Sequence, residues 1–233
     1  MPMSTSPAKR AAARRANNES ETREAAPNRK QDILLAAERL FAQRGFHGVS
    51  IRDIADEAGV QLALIGYYYG PKVELYHEIY RQRAGYIQER LKALAEAQRS
   101  APKGKLLEEI VKAFVLPVLR VADDPNGRNF LHLMARGITD RLEEDEPIIR
   151  ELFDPLARAF IDAMCAALPD ATRGQVAWCY QFALGALLHH VIDVRVERLS
   201  LGENRAGDGD SAGPLLVQLL TKGIRAACSG ATH

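Results

Sequence analysis

Tyr67, Tyr68 and Tyr69 stand consecutively, followed by Gly70, Pro71 and Lys72. A phenol hydroxyl can donate to a phosphate oxygen while its ring packs on a sugar, and a lysine ammonium binds phosphate as a point charge. Successive helix positions lie about 100° apart, so three tyrosines in a row fan over about 200° and cannot all enter one core. Tyr69 lies four residues after Ile65 and belongs to the buried face. Tyr67 shares the opposite side with Ala63 and Leu64 and is expected to be exposed, with Tyr68 between the two. Lys72 falls in the first turn of the next helix, where a cation opposes the macrodipole. Either a nearby phosphate favours it there, or it is simply solvated. On the first reading, Lys72→Ala weakens nucleic-acid binding without unfolding the chain.

Other reactive residues form no convergent set. His189 and His190 are adjacent, whereas paired helical metal ligands sit four apart, so no metal is expected. The acids of "RLEEDEP", Arg141 to Pro147, are read as dipole partners of a helix starting near Pro147. Cys165, Cys179 and Cys228 are odd in number and widely spaced; they fit neither zinc nor a disulfide framework, and Cys165 and Cys179 read as small buried residues in a reducing cytoplasm. No acid, base and nucleophile spacing stands out, so neither an enzyme nor a cofactor site is expected. A helical adaptor that binds protein through the tyrosines remains the alternative to nucleic acid.

Several helices must position these residues. The chain has 233 residues, 47% apolar and 26% charged, with a net charge of +1. That balance suits one or two folded domains and requires any nucleic-acid affinity to come from local charge. Residues 1–28 lack apolar periodicity and read as a disordered tail, made basic by Lys9, Arg10, Arg14 and Arg15. Ile33, Ala37, Leu40 and Phe41 then mark one helix that Gly45 ends. Ser50 caps a second, with Asp53 three residues on, which stops at Gly59. A third, short segment ends at Gly70. Pro71 opens a long helix expected to run to about Ala97 and to act as a lever. Further helices are expected at about 103–122, 129–142, 147–168, 172–197 and 213–228, with Pro117 and Pro155 kinking or dividing two of them. The breaker-rich stretch 199–213 reads as a mobile loop. The apolar run from Phe182 is too short to span a membrane, and the first residues lack a secretory apolar core.

A short helix, a Gly turn and a second short helix have the form of a helix-turn-helix, whose second helix enters the major groove. Residues 29 to about 80, including "AAERLFAQRGFHGVSIRDIADEAGV" and the aromatic cluster ending in Gly-x-Lys, resemble the N-terminal domain of the TetR/AcrR family of bacterial transcriptional regulators. The resemblance implies an all-α fold. An N-terminal three-helix helix-turn-helix DNA-binding domain over 29–75 precedes a larger helical ligand-binding and dimerisation domain over 76–233. It also implies a ligand-responsive repressor that binds a near-palindromic double-stranded operator as a homodimer. Carried across position by position, it puts Ser50 at a phosphate and Arg52 at a phosphate or a guanine edge. Gln61, Leu62, Ala63 and Leu64 then face the groove, and Tyr67, Tyr68 and Lys72 the backbone. Gly66 departs from the family, which often has Tyr there, so the operator sequence does not carry over.

Residues 151–193 resemble the regulatory domains of the fatty-acid-responsive branch of that family. Phe114, Leu131, Met134, Phe160, Trp178 and Phe182 are the candidate walls of a pocket for a small apolar effector. Ordinary core packing is the competing role for each. The helices at 172–197 and 213–228 are the expected homodimer surface, with Gly185 and Ala186 allowing close approach. Packing within one subunit is the alternative for these small residues.

Overall fold

A computed structural model describes residues 29–140 and 142–229; the basic tail expected at 1–28 lies outside them. Every regular element among the described residues is helical. The chain divides into two compact units between Tyr76 and His77.

The first unit holds α1 (29–44), α2 (Ile51–Ala58), α3 (Leu62–Tyr69) and the start of α4 (Lys72–Gln82). The stripe read from the sequence forms its core: Ile33, Ala37, Leu40 and Phe41 are buried, joined by Ile54, Ile65 and Leu75. Tyr76 meets Phe41 and Phe46 edge to face, with centroids 5.2 and 5.0 Å apart. Gly59 ends α2 at φ 64°, a left-handed conformation that glycine adopts without a Cβ penalty, and its N–H donates back to the carbonyls of Ala55 and Asp56. That tight stop sets α3 across from α2.

In the second unit the helix expected to run unbroken from Pro71 is two helices, α4 and α5 (Ala84–Ser100). Arg83 between them takes φ −89°, ψ 6°, and its N–H is shared between the carbonyls of Ile79 and Tyr80. Gly85, a poor helix former, follows two residues later. The expected single lever is therefore jointed. Next come α6 (Leu106–Asp123) and α7 (Pro125–Asp140). Pro117 neither breaks nor divides α6 and is buried within it.

A 3-10 turn over Glu143–Asp145 and the short α8 (Glu146–Ile148) lead into a π-helical turn over Ile149–Phe153, then α9 (Asp154–Ala167). Here the division expected at Pro155 does occur. Pro155 has no N–H for the carbonyl four residues back, and the chain widens before it, with the Asp154 N–H donating to the carbonyl of Ile149. The segment expected at 172–197 is α10 (Arg173–Ile192) plus a single turn, α11 (Val196–Leu199). The stretch read as a loop to 213 closes earlier, because α12 (Gly209–Ser229) begins there and seats Gly209 and Gly213 against Leu119 of α6.

Candidate functional site

Ser50 and Asp53 form a reciprocal cap on α2. The Ser50 Oγ accepts from the Asp53 N–H at 3.1 Å, and the Asp53 carboxylate accepts from the Ser50 N–H at 2.7 Å. The Ser50 hydroxyl also donates to that carboxylate; this bond, first among the causes, holds the Asp53 carboxyl below the usual range. Ser50, expected at a phosphate, is thus already bound to its own helix end. Arg52, next along α2, is exposed and makes no hydrogen bond or ion pair among the described residues.

Gln61, Leu62 and Ala63 open α3 on its exposed side, with Leu64 half-buried and Leu62 48% exposed. Gln61 makes no side-chain cap, so its amide is available to a ligand. Tyr67 is set apart as its spacing demands, but Tyr69, expected in the core, is only half-buried, as Tyr68 is. Tyr67 is 81% exposed, Tyr68 is half-buried, and their rings meet edge to face at 5.2 Å. Tyr69 donates its hydroxyl to the Lys30 carbonyl at 2.7 Å, tying the end of α3 to the start of α1. Gly66 faces open space, since a Cβ built there meets no heavy atom within 4 Å.

Lys72 requires a correction. Its Nζ donates to the carbonyls of Phe46 and Val49, each at 3.0 Å, and lies 4.1 Å from the centroid of the Phe46 ring. These contacts offset the unfavourable position in the first turn of α4, so the sequence argument no longer requires a phosphate there. Neither of the two readings, phosphate or bulk solvent, included this internal cradle.

In the second unit, a cavity of about 420 Å³ is lined by α4, α5, α6, α7, the 143–153 segment, α9 and α10. Met134 lies on its wall, with Ile138, Leu142, Ile149, Phe153 and Leu184. Phe114, Leu131 and Phe160 are fully buried and form the packed core rather than the cavity wall. Trp178 and Phe182 contradict the pocket reading outright. They are 66% and 67% exposed and stack on each other, centroids 5.8 Å apart, on the outer side of α10. Helix α10 is apolar all round, so spacing alone could not tell the inner stripe (Val176, Tyr180, Ala183, Leu187) from the outer one.

The sequence reading missed the polar part of this wall. Arg90 and Asp145 are 2% and 1% exposed and line the cavity with Tyr80, Tyr86 and Tyr180. Asp145, read as a dipole partner of the following helix, lies with the Tyr80 hydroxyl around Gly137; a Cβ there would come within 3.2 Å of the Asp145 Oδ1. A larger concavity, about 660 Å³, runs along α6 and α12. Its wall mixes Leu116, Pro214 and Val217 with Lys105 and Lys112, both paired with Glu108.

His189 pairs with Asp193 at 2.9 Å, and burial lowers the pKa of His190. Among the described residues no group of His, Cys, Asp or Glu could hold a metal ion. Cys165 is half-buried, contrary to expectation; Cys179 is buried and lies 3.8 Å, sulfur to sulfur, from Cys228. Burial, with the Cys179 contact, pushes the Cys228 thiol up to about 11. Among the described residues no helix is long and apolar enough to cross a membrane.

Residues 33–79 match the bacterial regulatory proteins of the tetR family, and residues 112–223 match the tetracyclin repressor-like C-terminal domain. The chain belongs to the TetR family. TetR proteins are DNA-binding transcriptional regulators and not enzymes. A stretch of 48 residues is 38% identical to the HTH-type transcriptional activator FasR of Mycolicibacterium smegmatis, spanning 21% of this chain and 22% of that protein. Among solved structures, FadR of Bacillus halodurans, a fatty acid degradation regulator, aligns with a TM-score of 0.58 at 16% identity, over 84% of this chain and 96% of its own. FadR of Bacillus subtilis in complex with stearoyl-CoA aligns at 0.53 and 16%, over 83% and 98%. At these identities the two structures establish a shared fold. Helices α2 and α3 both fall within the matched residues 33–79.

Proposed function

We propose that this TetR protein is a repressor that binds a near-palindromic operator as a homodimer and is released by a small, largely apolar effector. The observation that carries the reading is the row Arg52, Gln61, Leu62, Ala63 and Tyr67, exposed on a capped helix-turn-helix. Each type suits a duplex: Arg to guanine or phosphate, Gln to adenine, Leu and Ala to a thymine methyl, Tyr to the backbone. Leu64 and Tyr68, half-buried, complete the edge of this surface. Ser50 and Lys72 support it from behind, one holding α2 and the other fixing the 46–49 segment. Any phosphate contact they make adds to those roles.

The outer side of α10 and α12 supports homodimerisation. Trp178, Phe182, Leu215 and Leu219 are 64 to 67% exposed, and Gly185 lies open on the same stripe of α10. The open Gly185 argues against packing of that residue within one subunit. Two recognition helices about 34–36 Å apart would read two half-sites of one operator. The 420 Å³ cavity supports an effector site. Its occupant favours one of two states, so its affinity and that of DNA are reciprocally coupled. The stearoyl-CoA complex of the B. subtilis FadR supports an acyl class of occupant. The M. smegmatis activator matches over only 48 residues, 22% of its length, so its direction of control does not carry over.

The test is a mobility shift on the DNA flanking the chain's own reading frame, repeated with acyl, aromatic and drug-like compounds. Retarded DNA that one compound class releases is the expected result. Failure to shift any flanking fragment, with the folded protein in micromolar excess, refutes operator binding at that locus.

A further inference from the structure

Arg90 is a buried charge without a charged partner. Its Nη1 donates to the Tyr86 hydroxyl at 3.2 Å and its Nη2 to the Phe114 carbonyl at 3.3 Å. Its Nε is buried with no hydrogen-bond acceptor, and among the described residues no carboxylate forms an ion pair with it. The guanidinium is instead surrounded by rings, lying 4.8, 5.2 and 5.4 Å from the centroids of Phe114, Phe160 and Tyr86. Cation–π contact and two neutral acceptors offset only part of the desolvation of a full charge, which is why buried cations are ordinarily paired. An arginine nevertheless sits in the cavity wall, beside two buried phenols, Tyr86 and Tyr180.

The other charges of the wall do not neutralise it. Glu146 and Asp154 are held by Arg150 and Arg158, and Asp145 belongs to the Gly137 and Tyr80 cluster.

We propose that the occupant of this cavity is an organic carboxylate on an apolar body, its carboxylate taken by Arg90 with the Tyr86 and Tyr180 hydroxyls beside it. The planar fork of a guanidinium matches a carboxylate in shape and supplies the missing negative charge. This rests on the reading of the cavity as the effector site and narrows it from an apolar compound to an acidic one.

Calorimetric titration of the full chain with decanoic acid, methyl decanoate and decylamine separates the possibilities, since the three share an apolar tail and differ in head group. The acid is expected to bind at least tenfold more tightly than the ester and the amine. Arg90→Met is expected to weaken the acid tenfold or more while changing the ester less than threefold. Equal affinity for acid and ester, preference for the amine, or no binding of the acid overturns the proposal. The comparison of head groups on the unaltered protein stands even if Arg90→Met does not fold. The mobility shift without any ligand reports on DNA binding separately, so loss of the acid preference with DNA binding intact condemns only this inference.

Discussion

Lys72→Met separates a structural lysine from a DNA-contacting one. The ammonium makes two bonds of 3.0 Å to the Phe46 and Val49 carbonyls and lies over the Phe46 ring. A hydrogen bond from a charged group contributes about 1.5–3 kcal/mol and a cation–π contact about 0.5–2 kcal/mol. Lys72 is half-buried, and the three contacts share one charge, so solvent screening and non-additivity reduce the combined loss to about 2–4 kcal/mol. Methionine keeps most of the alkyl stem, which isolates the loss of charge. Amide hydrogen exchange read segment by segment suits a chain of two units, where a single unfolding midpoint is ill-defined. Where exchange reports opening of the whole first unit, protection over α1 to α3 should fall by about 30- to 1,000-fold, while α10 and α12 are unchanged. If protection stays within threefold of the unaltered protein while operator affinity is lost, Lys72 is a phosphate ligand and the structural account is wrong.

Three further outcomes are expected. Gly66→Ala should stabilise α3 by about 1 kcal/mol, because alanine is the better helix former and a Cβ there meets nothing; slower exchange in α3 checks it, and faster exchange refutes it. Arg52→Ala should leave exchange unchanged, lower operator affinity and make the salt dependence shallower by about one unit, read by mobility shift over a salt series. Phe182→Glu, on an exposed stripe, should leave the fold intact and weaken self-association by roughly 30-fold or more, as loss of a central anchor costs about 2 kcal/mol; sedimentation equilibrium reads it, and an unchanged dimer refutes the α10 surface.

Much of the first unit was legible because its signals are local. A 3.6-residue apolar stripe, a Ser cap with an acid three residues on, and a glycine stop each act within one or two turns. The split of Tyr67 from Tyr69 followed from helix geometry alone. The internal bonds of Lys72 were not foreseen because its acceptors lie 26 and 23 residues back in the chain, at two carbonyls that no side-chain pattern advertises. The break at Arg83 was missed for a related reason, since the apolar spacing continues across it and only the backbone departs.

The cavity was the least legible part because burial in a helical bundle is decided by neighbours. Helix α10 offers two apolar stripes, and which turns inward depends on where α7, α9 and α12 lie. Trp178 and Phe182 are large aromatic residues on that helix and drew the pocket assignment, yet large aromatic rings left outside serve equally well as anchors between subunits. Arg90 was passed over by the converse error. In "QERLKALAEAQRS" it is one charge among several on the helix expected to run from Pro71, and only the rings of Phe114 and Phe160, brought in from α6 and α9, show it to be inside. The same physics makes both residues informative once placed: an apolar pair held in water and a charge held out of it are each unfavourable alone, and each implies the complement that relieves it.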